Sequence, residues 1–218
     1  MDTTIKAILW DNDGVLVNTE GLYYSATQEI LANIGIDLTK EMFFDLFLVQ
    51  GKGAWHLAEE KGFSQNEIEK LILKRNRLYT DFLKKGKLLI EGVKKTLEAL
   101  HGSYQMGIVT SSRKEHFEII HQSTGLLKYF DFFVTCEQCV NSKPHPEPYL
   151  VGVAKTGLSK EECIVIEDSE RGLTSAVQAG LKCIIIPNEL TKNGNFSSAY
   201  AILNHVKEIP SILIKNRF

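Results

Sequence analysis

The run Ala7-Ile8-Leu9-Trp10 is apolar at every position and is followed at once by Asp11-Asn12-Asp13-Gly14. A strand that is apolar on both sides belongs in a parallel sheet covered by helices on both faces. The acid pair then stands at the tip of a central strand, which is where open α/β sheets bind their ligands.

Strand-like apolar runs recur at residues 5–10, 106–109, 132–135, 164–166 and 183–186, with helical patterns between the later ones. That alternation predicts an α/β protein with a doubly wound, mainly parallel sheet. Residues 16–90 interrupt it. No run there reads as a strand, and apolar residues return at helical spacing: Tyr23, Ala26, Ile30 and Ile34, then Ile68, Leu71, Ile72, Tyr79 and Phe82. Ser64-Gln65-Asn66-Glu67 is a capping-box pattern at the head of the last helix, and Gly86 supplies its stop. The expected organisation is a core of residues 1–15 and 91–218, with an α-helical unit, residues 16–90, inserted after the first strand. Leaving from a strand tip, the insertion overhangs the ligand crevice and can act as a lid. Two tandem domains do not fit, because one strand cannot fold without the later sheet.

With 218 residues, 44% of them hydrophobic and 24% charged, the chain can fill a full core and has no composition of disorder. A net charge of −2 gives no general attraction to nucleic acid or anionic membrane, so neither is an expected partner. Met1-Asp2-Thr3-Thr4 lacks a basic n-region and an apolar h-region, and no apolar run approaches the ~20 residues that cross a bilayer. A cytoplasmic protein, working as a monomer, is expected. Cys136, Cys139, Cys163 and Cys183 are too few and too scattered for a disulfide framework. Cys136-Glu137-Gln138-Cys139 has CxxC spacing with His145 behind it, but a structural zinc site needs four ligands and a second close pair is missing. Cys163 and Cys183 fall in apolar runs and read as core.

Three further strand tips carry polar residues. Thr110-Ser111-Ser112-Arg113 offers hydroxyls, main-chain N–H groups and a guanidinium that can hold a phosphoryl group, and it equally fits a cap for the next helix. Ser142-Lys143-Pro144-His145-Pro146 holds a lysine in a proline-bounded loop, where the residue before proline is restricted to extended backbone. Residues 164–166 run into Glu167-Asp168-Ser169, a second acidic pair that alone would also fit a surface charge pair. If the first and fourth strands are neighbours, four carboxylates converge, and like charges raise one another's pKa unless a cation offsets them. A divalent ion with oxygen ligands answers this. Mg²⁺ suits it best, being held by one or two carboxylates with water and substrate phosphate. Lys143 and the Thr110 hydroxyl would then take the other phosphate oxygens.

Asp11-x-Asp13-Gly14-Val15, the strand-end Thr110, Lys143-Pro144 and Glu167-Asp168-Ser169 resemble, in order and spacing, the four motifs of the haloacid dehalogenase superfamily, over nearly the whole chain. The resemblance is to the phosphatase and β-phosphoglucomutase branch, which has a Rossmann-like core and a helical cap inserted after the first motif. It implies that Asp11 is the nucleophile that becomes an aspartyl phosphate. Asp13 would protonate the leaving alcohol and then deprotonate the attacking water. It further implies Mg²⁺ held by Asp11, Asp168 and the Asp13 carbonyl, with Glu167 a ligand or a partner of one. Thr110, Lys143 and the Ser111 N–H would bind phosphate. The implied reaction is hydrolysis of a small phosphorylated metabolite such as a sugar phosphate, since a lid must close over the whole leaving group.

Departures from the pattern are informative. Asn12 stands where the superfamily has an apolar or aromatic residue, and an amide there needs hydrogen-bond partners, in a polar pocket or at the cap hinge. Glu91-Gly92 replaces Pro-Gly at the return hinge. Tyr23 and Gly53 fall where β-phosphoglucomutases carry a cap histidine and arginine; loss of that second basic anchor favours hydrolysis over phosphomutase chemistry. Lys52 and Arg75 remain as basic candidates for substrate contact, and Lys52 and His56 fit a solvated helix face equally well. Asp13 argues against a dehalogenase, whose halide leaves without a proton, and against a phosphonatase, which has a small residue there and a Schiff-base lysine in the cap. A receiver-type signalling domain carries its acidic pair elsewhere and has no such insertion. A non-catalytic binding protein on this fold is the remaining alternative, and the intact acid quartet counts against it. Gly51-Lys52-Gly53 is no dinucleotide loop, lacking the third glycine and a preceding strand.

Overall fold

In the computed structural model, which describes residues 4–215, six strands form one parallel sheet. The residues 1–3, on which the expectation about a leader partly rests, lie outside the described ones. The strands are β1 (Ala7–Trp10), β2 (Gln105–Val109), β3 (Phe132–Val134), β4 (Cys163–Glu167), β5 (Lys182–Ile185) and β6 (Ala201–Ile202), in the order β3-β2-β1-β4-β5-β6.

β1 sits between β2 and β4, with Ala7 opposite Gln105 on one side and Cys163 on the other. Its side chains alternate between two apolar layers. Ile8 and Trp10 join Met106, Ile108, Ile164 and Ile166, while Ala7 and Leu9 join Val109, Val165 and Cys183. This is why the run carries no polar residue: each large side chain on either face contributes about 1.5–3 kcal/mol by burial. Helices α5 (Val93–Leu100) and α6 (Lys114–Thr124) cover the first layer through Leu97, Phe117 and Ile120, with α9 (Ile209–Lys215) beside them. Helices α7 (Glu147–Thr156) and α8 (Glu170–Gln178) cover the second through Tyr149, Val153, Leu173 and Ala176.

The third strand stops one residue earlier than its apolar run predicts. Thr135 leaves the sheet to cap a 3₁₀ turn, and its N–H donates to Gln138 Oε1 at 3.0 Å. β6 carries no sequence signal, being two residues long and attached to the edge of β5.

Between β1 and α5 lie α1 (Glu20–Ala32), α2 (Lys40–Phe43), a π-helical turn (Phe44–Val49), α3 (His56–Glu60) and α4 (Gln65–Lys85). α4 starts at the expected capping box, where the Ser64 N–H donates to Glu67 Oε2 at 2.8 Å, and stops at Gly86. α1 is shorter than its pattern predicts. It ends at Ala32, so Ile34 falls in the turn beyond, where Gly35 takes φ +72°. Leu31, Leu38, Phe43, Ala58 and Ile68 form a separate apolar cluster within this helical insert. The chain enters and leaves the insert along one seam: the Asn18 N–H donates to the Leu88 carbonyl at 2.8 Å and the Ile90 N–H to the Leu16 carbonyl at 3.2 Å. Among the described residues no helix is long and apolar enough to cross a membrane.

Candidate active site

The strand order reverses between β1 and β4, so their C-terminal ends stand side by side with a crevice above them. Asp11 leaves β1 there, and Glu167 and Asp168 leave β4. Lys143, only 2% exposed, reaches between them from the loop before α7. Its ammonium donates to Asp11 Oδ1 at 2.6 Å, to Glu167 Oε1 at 2.7 Å and to the Val109 carbonyl at 2.9 Å, which uses all three of its hydrogens. The Tyr149 hydroxyl donates to the same Glu167 oxygen at 2.8 Å. The other oxygen of Glu167 accepts from the Asp168 N–H at 3.1 Å, the Ser169 N–H at 3.3 Å and the Ser169 hydroxyl at 3.1 Å. Glu167 is thus saturated, and it serves as the anchor of the lysine.

Two glycines make room for these acids. A Cβ on Gly172 would stand 1.9 Å from the Glu167 carboxylate, and one on Gly14, which takes φ +84°, would stand 2.2 Å from Asp168 Oδ2. Asp168 Oδ2 also accepts from Asn188 Nδ2 at 2.8 Å, and that amide donates at 2.8 Å to Glu20 Oε2.

The charges do not balance. Burial works to raise Glu167, but the Lys143 ammonium, with hydrogen bonds from Tyr149 and the Ser169 N–H, reverses it and leaves Glu167 below its ordinary value. Lys143 itself is held above the ordinary lysine value: burial pulls it down, and Asp11 and Glu167 outweigh that. Asp11 is pushed up to about 8 by burial and by the Glu167 charge, with Lys143 opposing, and Asp168 is raised well above the carboxylate range by burial, Glu20 and Glu167. Asp11, Glu167 and Asp168 each offer an oxygen within 4.8 Å of the others. Buried carboxylates this close, with one ammonium among them, fit a divalent cation, which would return Asp11 and Asp168 to the ionised form.

Asp13 is held by four donors. Thr19 donates to its Oδ1, and Oδ2 accepts from the Ser112 hydroxyl at 2.7 Å, the Thr110 hydroxyl at 3.2 Å and Asn12 Nδ2 at 3.3 Å. Thr110 is 2% exposed; its hydroxyl also accepts the Ser112 N–H at 2.9 Å, so it is turned to the acid. The Ser111 hydroxyl lines the cavity and is buried with no hydrogen-bond partner among the described residues. Asn12 does not itself line the cavity, although its amide nitrogen reaches Asp13, which does. Asn12 is fully buried, and its oxygen lies 2.9 Å from His121 Nε2 on α6.

A cavity of about 270 Å³ opens above Asp11, Asp13, Lys143 and Asp168. The helical insert supplies its far wall, lined by Tyr23, Phe43, Phe47, Arg75 and Tyr79. Arg75 is buried. Its guanidinium lies 4.2 Å over the Tyr23 ring and donates to Thr27 Oγ1 at 3.3 Å and Asn76 Oδ1 at 2.9 Å. Lys52 is exposed and does not line the cavity, so of the two basic candidates in the insert only Arg75 reaches it. Thr19, Ser112, Tyr149, Asn188 and Arg171 also build or line the site. Of these only Ser112 carried a signal, as a neighbour of Thr110 at a strand end. All four cysteines are free thiols, with Cys163 and Cys183 buried in the core as expected.

A doubly wound sheet with acids, a buried lysine and hydroxyls at adjacent strand tips defines a class, and the chain belongs to it: the haloacid dehalogenase-like hydrolase family, whose sequence signature matches residues 8–186. Its relatives include a phosphorylated carbohydrates phosphatase of Thermotoga maritima, 28% identical over 83% of this chain and 84% of that protein. Hexitol phosphatase B of Escherichia coli (strain K12) is 24% identical over 87% of this chain and 86% of its own length. The same fold is seen in a β-phosphoglucomutase from Clostridium difficile, with a TM-score of 0.82, 22% identity, and coverage of 98% of this chain and 97% of that one.

Proposed function

We propose that this protein is a Mg²⁺-dependent phosphomonoesterase that hydrolyses a small phosphorylated metabolite, a sugar phosphate foremost, through an aspartyl phosphate on Asp11. One observation carries the reading. Asp11 is fixed by the buried Lys143–Glu167 pair, and a second acid, Asp13, lies two residues on and lines the same cavity.

A carboxylate oxygen of Asp11 attacks phosphorus as the bond to the leaving oxygen breaks, and Asp13 gives its proton to that oxygen. Water then attacks the phosphorus of the acyl phosphate. Asp13 takes the water's proton, phosphate departs, and the Asp11 carboxylate is restored. Lys143 balances the charge of the nucleophile, and the Ser111 hydroxyl and N–H with the Thr110–Ser112 segment bind phosphoryl oxygens. Asp11, Asp168 and the main-chain carbonyl of Asp13 would hold Mg²⁺, with Glu167 beside them keeping Lys143 in place. When bound, the ion supplies charge neutralisation at the phosphoryl group. Residues 16–90 act as a cap on the core of residues 1–15 and 91–218, and the two chain segments bridged at Val17 and Leu89 are its hinge.

The names of the Thermotoga and Escherichia relatives support a phosphorylated carbohydrate as substrate. A phosphomutase is the second reading, favoured by the presence of Arg75 as a cation on the insert's side of the cavity. The test is a panel of phosphorylated metabolites, including β-glucose 1-phosphate, assayed with Mg²⁺ and after chelation with EDTA. Release of inorganic phosphate that stops on chelation is expected. Glucose 6-phosphate as the product would transfer the assignment to the mutase, and turnover unaffected by EDTA would remove the metal from it.

A further inference from the structure

The amide of Asn12 lies in a chain of buried contacts that leads away from the cavity. Its Nδ2 is 3.3 Å from Asp13 Oδ2, and its oxygen is 2.9 Å from His121 Nε2. The other ring nitrogen of His121 is 3.0 Å from the Thr124 hydroxyl, and that hydroxyl oxygen accepts the Leu126 N–H at 3.4 Å. Directions follow from the donors available. The Asn12 oxygen, which can only accept, faces Nε2, so Nε2 carries the one hydrogen of a neutral imidazole and Nδ1 accepts from the Thr124 hydroxyl. Burial supports the neutral ring, pulling His121 down to about 4. The Nε2–H donates to the Asn12 oxygen, which holds the other end of the amide, its NH2, on Asp13.

The consequence lies in what kind of donor Asn12 is. The other three groups on Asp13 are hydroxyls from Thr19, Thr110 and Ser112, and a hydroxyl can turn to accept. The amide nitrogen, locked by His121, can only donate. It therefore keeps a lone pair of Asp13 Oδ2 occupied whether the carboxyl is protonated or not, and holds the carboxyl plane while the hydroxyls reverse.

We propose that His121 and Asn12 are positioning residues for Asp13: the imidazole sets the sense of the amide, and the amide aims the Asp13 carboxyl at the departing oxygen. This rests on the reading of Asp13 as the acid. The proton leaves the Asp13 hydroxyl for the oxygen whose bond to phosphorus is breaking, as the Asp11 oxygen bonds to phosphorus from the other side.

Two esters of similar size test it: p-nitrophenyl phosphate, whose phenolate departs without a proton, and phenyl phosphate, whose leaving oxygen needs one. His121→Phe and Asn12→Leu are each expected to lower kcat/KM for phenyl phosphate about tenfold more than for p-nitrophenyl phosphate, with KM nearly unchanged. His121→Gln, which keeps an N–H donor toward Asn12, is expected to recover most of the lost ratio. Asn12→Leu reports alone if His121→Phe does not fold. Equal loss on both esters, as from a merely loosened core, overturns the proposal. Asp13→Asn separates the two levels of the argument: if it leaves the ratio of the two esters unchanged, the reading of Asp13 as the acid fails. If it changes the ratio and the Asn12 and His121 variants do not, only the positioning role fails.

Discussion

At the strand tips every hydrogen of the Lys143 ammonium and both oxygens of Glu167 are engaged. The wall supplied by the helical insert is held instead by ring contacts, with Tyr23 edge-on to Tyr79 at 5.1 Å and Phe43 stacked on Phe47 at 4.6 Å. Charged hydrogen bonds in a dry site depend steeply on distance and leave orphaned charges when one partner is lost. Ring packing is broad in geometry and close to additive in area. The core therefore tolerates almost no change at its acids and lysine, while the insert can be repacked to accept another leaving group.

The sharpest way to break this contrast is at Asp11, the proposed nucleophile. Asp11→Asn is expected to cut phosphate release by at least about 10³-fold while the protein stays folded, as read by steady-state assay beside circular dichroism. Residual activity near the wild-type level would sink the nucleophile assignment. Lys143→Met tests the cost of leaving Asp11 and Glu167 buried without their cation, and a loss of about 3–5 kcal/mol in urea unfolding is expected.

His121 gives a smaller effect with a defined pH window. Its folded value near 4 lies below the ordinary 6.5, so the unfolded chain binds the extra proton first. The stability from the neutral buried ring is complete above about pH 6.5 and is lost as pH falls toward 4, on the order of 2 kcal/mol. Thermal melts at pH 7 and pH 4.5 should show a shallower fall for His121→Gln than for the wild type; parallel slopes would contradict this.

Arg75→Met is expected to raise KM for the preferred substrate about tenfold and to leave p-nitrophenyl phosphate turnover within about threefold, which separates wall from floor. Lys52→Ala, outside the cavity, should change either value by less than about twofold, and a larger effect would show that the insert moves Lys52 inward on closure.

How far the sequence speaks differs between the same two regions. β1, β2, β4 and β5 were legible because a strand buried on both faces has no choice but continuous apolar residues. For the same reason Asp11, Thr110 and Glu167 could be read as strand-tip groups. The convergence of β1 with β4 needed the sheet order, which no local pattern contains. Thr19, Tyr149 and Asn188 were illegible because each acts through side-chain contacts that only the folded chain brings together, such as Asn188 with Glu20 and Asp168. Asn12 announced that it needed a partner without naming it, since His121 sits in an ordinary amphipathic helix. Lys52 stayed open between substrate contact and a solvated face, because nothing in its neighbours said whether Gly51 and Gly53 would turn it into the cavity or out to water, where the structure has it.

The central position of β1 also bears on how the chain is made. β1 leaves the ribosome before either neighbour has been synthesised, because Ala7 must wait for Gln105 and then Cys163. The apolar cluster of the insert, by contrast, is built mainly from residues between Leu31 and Ile68, and such short-range contacts form early. A nascent chain that has just emerged past Gly86 is thus expected to hold a partly formed helical unit tethered to an unpaired apolar strand. Proteolysis of ribosome-bound chains of increasing length would resolve the two stages. Until the later strands arrive, β1 and the Asp11 that follows it lack the partners that bury them, and an unpaired apolar strand is open to aggregation.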